Sequence, residues 1–160
     1  MNRISKIRKH PVYQKSLGKI EVFEEERIYC RHNMEHFLDV ARIASILAME
    51  EKLKISREMI YAAALLHDIG RCLEYEQKCS HESGSIVLAF KILPDCGFSE
   101  EEVHVLAEAI AQHREKGMAA KGTLGEILYR ADKLSRPCYQ CKASDTCKWE
   151  DTKRNHEISY

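Results

Sequence analysis

Apolar residues recur at three- and four-residue intervals along most of this chain and almost nowhere alternate. Phe37, Val40, Ile43, Ala44 and Leu47 fall on one stripe, which predicts an amphipathic helix over residues 33–53. Ser56 can cap the next helix, which runs through Ala62, Ala63, Ala64, Leu65 and Leu66 to His67. That segment is apolar almost all round, as expected of a central buried helix, and Gly70 is expected to end it. Ser80 can cap a helix over 81–93, which Pro94 stops. Ser99 with Glu102 spells a capping box for a helix reaching roughly Glu115. Gly117 and Gly122 bracket a loop, and a last helix is expected over 123–136, ended by Pro137. Pro11 suits the first turn of a helix over about 11–27.

Few breakers interrupt these segments, with 7 Gly and 3 Pro in 160 residues, so the chain reads as all-α. The length fits one domain, expected over residues 1–137, with a Cys-rich extension over 138–160 packed on it. Charge narrows the choice of partners. The 25 basic side chains balance 25 acidic ones, which argues against a dedicated nucleic-acid binder. No apolar run is long enough for a membrane helix, and the basic N-terminus has no apolar stretch behind it. A cytoplasmic protein is expected. Its 7 cysteines are then thiols or metal ligands rather than a disulfide framework.

The 8 histidines change the picture more than any other count. His67 and Asp68 close the segment expected to be buried, and a buried charge needs a partner or a metal. His36 lies on the apolar stripe of its helix. His113 sits beside Val103, Leu106, Ala107 and Ile110. Asp132 interrupts Ile127, Leu128, Ala131 and Leu134, and His81 opens a helix. Any one of these is an ordinary packing residue when taken alone. Together they place six imidazole and carboxylate groups on or near the inward faces of five expected helices, as bundle metal sites do.

The order His36…His67-Asp68…His81…His113…Asp132 resembles the HD-domain superfamily of metal-dependent phosphohydrolases, a helical-bundle fold. The likeness extends over about residues 28–136. It implies that His36, His67, Asp68 and Asp132 hold one divalent metal. His81 and His113 resemble the version with a second metal, in which Asp68 bridges the ions. Mixed nitrogen and carboxylate donors suit Fe, Mn, Zn, Co or Ni. The implied chemistry is attack of a metal-activated hydroxide on phosphorus. The His32-Asn33-Met34-Glu35-His36 segment is similar to one in cyclic-nucleotide phosphodiesterases, distant relatives in which the first histidine protonates the leaving oxygen. That likeness makes His32 the candidate acid. Many HD proteins carry Lys three residues after the signature Asp. Arg71 stands there instead, a candidate catalytic and phosphate-binding residue. Lys133, Arg31, Arg114 and Arg136 are further phosphate-binding candidates.

Cys138-x-x-Cys141 and Cys147 form a second constellation outside that pattern. They could hold zinc or an iron–sulfur cluster, or act as a redox pair. The fourth ligand is open among His156, Cys30 and Cys79. Cys72 and Cys96 read as packing residues. The expected function is therefore hydrolysis of a phosphate ester or anhydride of a small molecule, a nucleotide above all. A diiron oxygenase, as a few HD proteins are, is one alternative. A non-catalytic nucleotide-binding module is the other.

Overall fold

The computed structural model describes residues 1–114 and 117–160. Among these the regular structure is entirely helical. The elements are α1 (Asn2–Lys9), α2 (Pro11–Phe23), α3 (Met34–Glu50), α4 (Arg57–Leu66), α5 (Arg71–Tyr75), α6 (His81–Ile92), α7 (Glu100–Gln112) and α8 (Leu124–Leu134). Short 3-10 turns occupy Pro94–Cys96 and, after α8, Cys138–Gln140, Ser144–Thr146 and Asp151–Lys153.

Local chemistry sets the helix starts. Asn33, Ser56, Ser80, Ser99 and Thr123 each accept a bond from a backbone amide in the first turn. At α7 the reciprocal Glu102 bond completes the capping box. His10 caps α2 through Nδ1, which accepts from the Val12 amide. The expected end of α7 at Glu115 lies outside the described residues; the helix stops at Gln112. Helix α2 ends at Phe23, four residues short of expectation. Two helices were not expected. α1 buries only Ile4 and Ile7 beneath four basic side chains. Its Arg3 pairs with Glu58 and Glu102 and stacks on Phe98. α5 is a little over one turn long, too short to leave a period.

Helix α4 lies at the centre, packed on α3, α7 and α1. α3 packs equally against α4 and α8, and α7 joins α6 to α8. Phe37, Leu47, Leu65, Leu66, Leu106, Ile110, Ile127 and Leu128 fill the space between them, all essentially out of water. Burial at that level stabilises each such side chain by about 1.5–3 kcal/mol.

Gly70 does not terminate α4 in a left-handed cap. The helix ends at Leu66, and Gly70 has φ −72 at the head of α5. Glycine is needed there because α6 crosses against it: a Cβ would lie 2.1 Å from the Ser85 amide nitrogen and 2.3 Å from the His81 carbonyl. Ser85 locks the crossing. Its hydroxyl donates to the His67 carbonyl at 2.8 Å and accepts from the Gly70 amide at 2.9 Å. The α4–α5 turn that carries His67 and Asp68 is thereby fixed to α6. Gly70→Ala is expected to destabilise the fold by about 3 kcal/mol or more, because backbone must move. Gly84→Ala, whose nearest contact is 3.0 Å, is expected to cost less. Urea unfolding of both variants tests this ranking, and an unchanged Gly70→Ala midpoint would contradict the crossing.

Candidate metal centre

Five histidines converge on Asp68 and Asp132, and each is oriented the same way. The Nδ1 atom of every ring meets a partner on the outer side. His67 Nδ1 donates to the Ala64 carbonyl at 2.7 Å and His113 Nδ1 to the Ile110 carbonyl at 2.5 Å. His81 Nδ1 lies 3.0 Å from a Glu74 carboxylate oxygen. His36 Nδ1 lies 3.3 Å from the Ser135 hydroxyl, which itself donates to the Asp132 carbonyl. His32 Nδ1 lies 2.6 Å from Glu24 Oε1. An imidazole whose Nδ1–H is engaged presents its Nε2 lone pair to the interior, as metal-ligating histidines do.

The Nε2 atoms face carboxylates at distances too long for hydrogen bonds. His36 Nε2 is 3.5 Å from Asp132 Oδ1, and His67 Nε2 is 3.5 Å from Asp68 Oδ2 and 3.9 Å from Asp132 Oδ1. His81 and His113 present Nε2 at 3.5 and 3.8 Å from Asp68 Oδ1. Two donor groups result: His36, His67, Asp68 and Asp132, and Asp68, His81 and His113. Within each, the ligand atoms lie within 4.8 Å of one another. Asp68 belongs to both. Nε2 of His36, Nε2 of His67 and Oδ1 of Asp68 are buried without a hydrogen-bond partner. Buried orphans of this kind are costly, and a cation among them would satisfy all three. The residues therefore fit a divalent metal.

Electrostatics agree with that fit. Burial pulls the His67 imidazole down to about 3, so it is neutral at physiological pH. Burial also lowers His36, against the pull of Asp132 and Asp68. For Asp68, burial opposes ionisation, but the facing His67 and the Arg71 guanidinium outweigh it and hold the carboxyl well below its usual range. Asp132 is likewise held low against burial, with Lys133 as the main attraction. His113 is raised, because the attraction of Asp68 exceeds the effect of burial.

A family model described as HD domain matches residues 33–136. The chain belongs to the HD-domain family. Members of this family are, in general, metal-dependent phosphohydrolases. An uncharacterised protein of Clostridium beijerinckii is 41% identical over 160 residues, the full length of both chains. Ribonuclease Y of Symbiobacterium thermophilum is 30% identical over 138 residues, covering 78% of this chain and 26% of that protein. Ribonuclease Y of Enterococcus faecalis is 30% identical over 128 residues, covering 79% and 22%. This HD-domain chain thus spans about a quarter of the ribonuclease Y proteins it matches. The crystal structure of a predicted HD superfamily hydrolase from an uncultured Thermotogales bacterium superposes with a TM-score of 0.65. It is 24% identical and covers 89% of this chain and 79% of that one, a likeness in fold.

The basic candidates separate once placed. Arg71 Nε lies 3.1 Å from Asp68 Oδ1, and Lys133 Nζ 2.5 Å from Asp132 Oδ2. Arg136 is buried, 3.9 Å from Asp132 Oδ2, and stacks 4.0 Å above the Trp149 ring with Nη1 unpartnered. Arg31 spends its donors on the Arg27 and Glu25 carbonyls, and exposed Arg114 pairs with Glu82. These two are not brought to the carboxylates. Cys138, Cys141 and Cys147 are free and half-buried. Among the described residues neither converging donor group contains a cysteine, so the tail thiols are not gathered as the histidines are.

Glu24 escaped the sequence analysis. It stands in a Glu24-Glu25-Glu26 run that reads as a solvated face, yet it is 3% exposed. It accepts from the His32 amide at 2.7 Å, binds the His32 ring and accepts from the Tyr75 hydroxyl at 2.5 Å. Burial would raise its carboxyl, but the bond and charge of His32, with Tyr75, bring it down to about 2. The stability this carboxylate contributes is present above the ordinary value of 4.5 and lost as pH falls toward about 2. Glu24→Gln is expected to destabilise by about 1–3 kcal/mol at neutral pH. The gap to the parent should narrow as pH drops below 4.5. Thermal midpoints of both proteins from pH 7 to pH 3 test this, and a constant gap would refute the assignment.

Proposed function

We propose that this HD-domain protein is a phosphohydrolase that cleaves a phosphate ester or anhydride of a small molecule, a nucleotide in particular. The observation that carries the reading is the pair of buried donor groups sharing Asp68, with three unpartnered atoms turned inward. His36, His67, Asp68 and Asp132 would hold one divalent transition metal, and Asp68, His81 and His113 a second. Bound there, such ions supply Lewis acidity and an activated water.

The protein's own side chains take the remaining roles. His32 Nε2 faces Asp68 Oδ2 at 3.6 Å without joining either donor group, so it is free to move a proton. Glu24 binds Nδ1 at 2.6 Å and so fixes the ring with Nε2 toward the centre, the atom that would deliver a proton to a leaving oxygen. Arg71 holds Asp68 in place and, with Lys133 and Arg136, presents positive charge to phosphate oxygens. A cavity of about 1230 Å³ lined by His36, Ser135, Arg136, Tyr139 and Trp149 offers an aromatic wall for a base beside Arg136. The ribonuclease Y likeness keeps short RNA phosphodiesters within the same substrate class. Residues 1–137 would form the catalytic unit and 138–160 its extension, in the cytoplasm. Among the described residues no helix is long and apolar enough to cross a membrane.

The test is anaerobic purification with metal quantification, then a hydrolysis screen that reads phosphate release from nucleotides and strand cleavage of short RNA. Hydrolysis stimulated by Mn or Co is expected. Two equivalents of iron with oxygen consumption and no hydrolysis would make it an oxygenase, and nucleotide binding without turnover a sensor. Asp68→Ala is expected to lose metal and turnover together, and full metal occupancy in that variant would contradict the shared-ligand arrangement. His32→Ala should keep its metal and lose about 10²–10⁴-fold in rate; metal loss would instead make His32 a ligand.

A further inference from the structure

The segment after α8 poses a problem of stability. No residue from Cys138 to Tyr160 is buried, yet the segment holds three ordered turns against the domain. Asn155 reaches back to the carbonyls of Lys133, Leu134 and Arg136 at 2.9–3.1 Å, and the Tyr29 hydroxyl donates to the Thr146 carbonyl at 3.1 Å. These few polar contacts stand where a core would otherwise be. Segments that cannot bury a core are commonly fastened by a metal.

The spacing of the thiols suits that role. Cys138 opens one 3-10 turn and Cys141 closes it, its amide donating to the Cys138 carbonyl at 3.2 Å. Cys147 closes the next turn in the same way on Ser144. Placement separates the three candidates for a fourth ligand. Cys30 lines the same cavity as Cys138, Cys141 and Cys147, whereas neither Cys79 nor His156 does. Cys79 is exposed, and His156 Nε2 faces the Asp151 carboxylate at 3.1 Å.

We propose that Cys30, Cys138, Cys141 and Cys147 are the thiolate ligands of a structural zinc ion that fastens the C-terminal segment beside the histidine–aspartate centre. Four cysteines are a sufficient set for a closed tetrahedral zinc site. Such a site carries a net charge of two minus, and the cavity wall supplies Arg136, Lys142, Lys148 and Arg154 to offset it. Cys138 and Cys141 lie near enough to Cys30 to act on it electrostatically. Drawing the sulfurs together disturbs no core, because the turns that carry them bury nothing. The consequence is positional. Ser135, Arg136 and Trp149 all line this cavity, so the zinc would hold the Arg136–Trp149 pair next to Asp132.

The experiment uses the full chain, purified under reducing conditions and assayed for zinc. One zinc per chain is expected to persist in Asp68→Ala and to be lost in Cys141→Ser. This separates the site from the histidine centre, whatever the outcome there. After exchange into Co(II), a thiolate-to-cobalt charge-transfer band is expected. It should be altered in Cys30→Ser, with affinity lower by about 100-fold, and unchanged in Cys79→Ser. Should the serine variants fail to fold, mercurial titration of the parent protein is expected to release zinc in step with thiol consumption. Absence of the band, release without thiol consumption, a Cys30→Ser spectrum like the parent's, or iron with inorganic sulfide at these cysteines would each overturn the proposal.

Discussion

Removing a carboxylate from water inside a helical bundle costs several kcal/mol unless charge and hydrogen bonds are returned to it. Asp68 is in that position, 3% exposed at the turn between α4 and α5. Arg71 returns part of the charge from one turn onward in the chain. The rest would come from a cation held among the donor atoms, so α3, α6 and α7 have to deliver His36, His81 and His113 to one centre. This requirement explains features that look incidental alone. Gly70 and Gly84 let α6 approach until backbone nearly touches backbone, and Ser85 ties both ends of the turn to that helix. An ordinary residue at Gly70 would move His81 away from Asp68.

The outer partners of the imidazoles divide the ring by chemistry. His67 and His113 donate to backbone carbonyls, neutral acceptors that fix orientation without demanding a charge on the ring. His32 instead faces Glu24, a carboxylate almost wholly out of water. His81 also has a carboxylate partner, Glu74, which is 37% exposed. The rings therefore share a direction but not an outer partner.

Much of this was legible beforehand, for physical reasons that can be named. Helix starts depend on one side chain meeting an amide two or three residues on, and Asn33, Ser56, Ser80, Ser99 and Thr123 are such local signals. Residues drawn together by the fold were legible only as inward-facing polar groups on otherwise apolar stripes, as with His36 and Asp132. Groups without a stripe were not. Glu24 hides in an acidic run, Ser135 sits past the last turn of α8, and α1 shows four basic residues for two buried isoleucines. Gly70 was read as a helix stop because sequence shows a glycine but not what packs against it. Arg31 and Arg114 had the right chemistry, but their nearest acceptors lie on the backbone and on Glu82.

Zero net charge over the whole chain conceals how charge is distributed at the centre. Asp68 and Asp132 contribute two negative charges, and Arg71, Lys133 and Arg136 contribute three positive ones within 4 Å of them. With His36 and His67 neutral, the buried cluster is close to balanced on its own, which lets the helices close around it. Each divalent ion held there adds two positive charges in a region of low dielectric. The same residues would then favour an anion over a neutral compound of similar shape. The pull on an anion would thus follow metal occupancy through charge, before any hydrogen bond to that anion is considered.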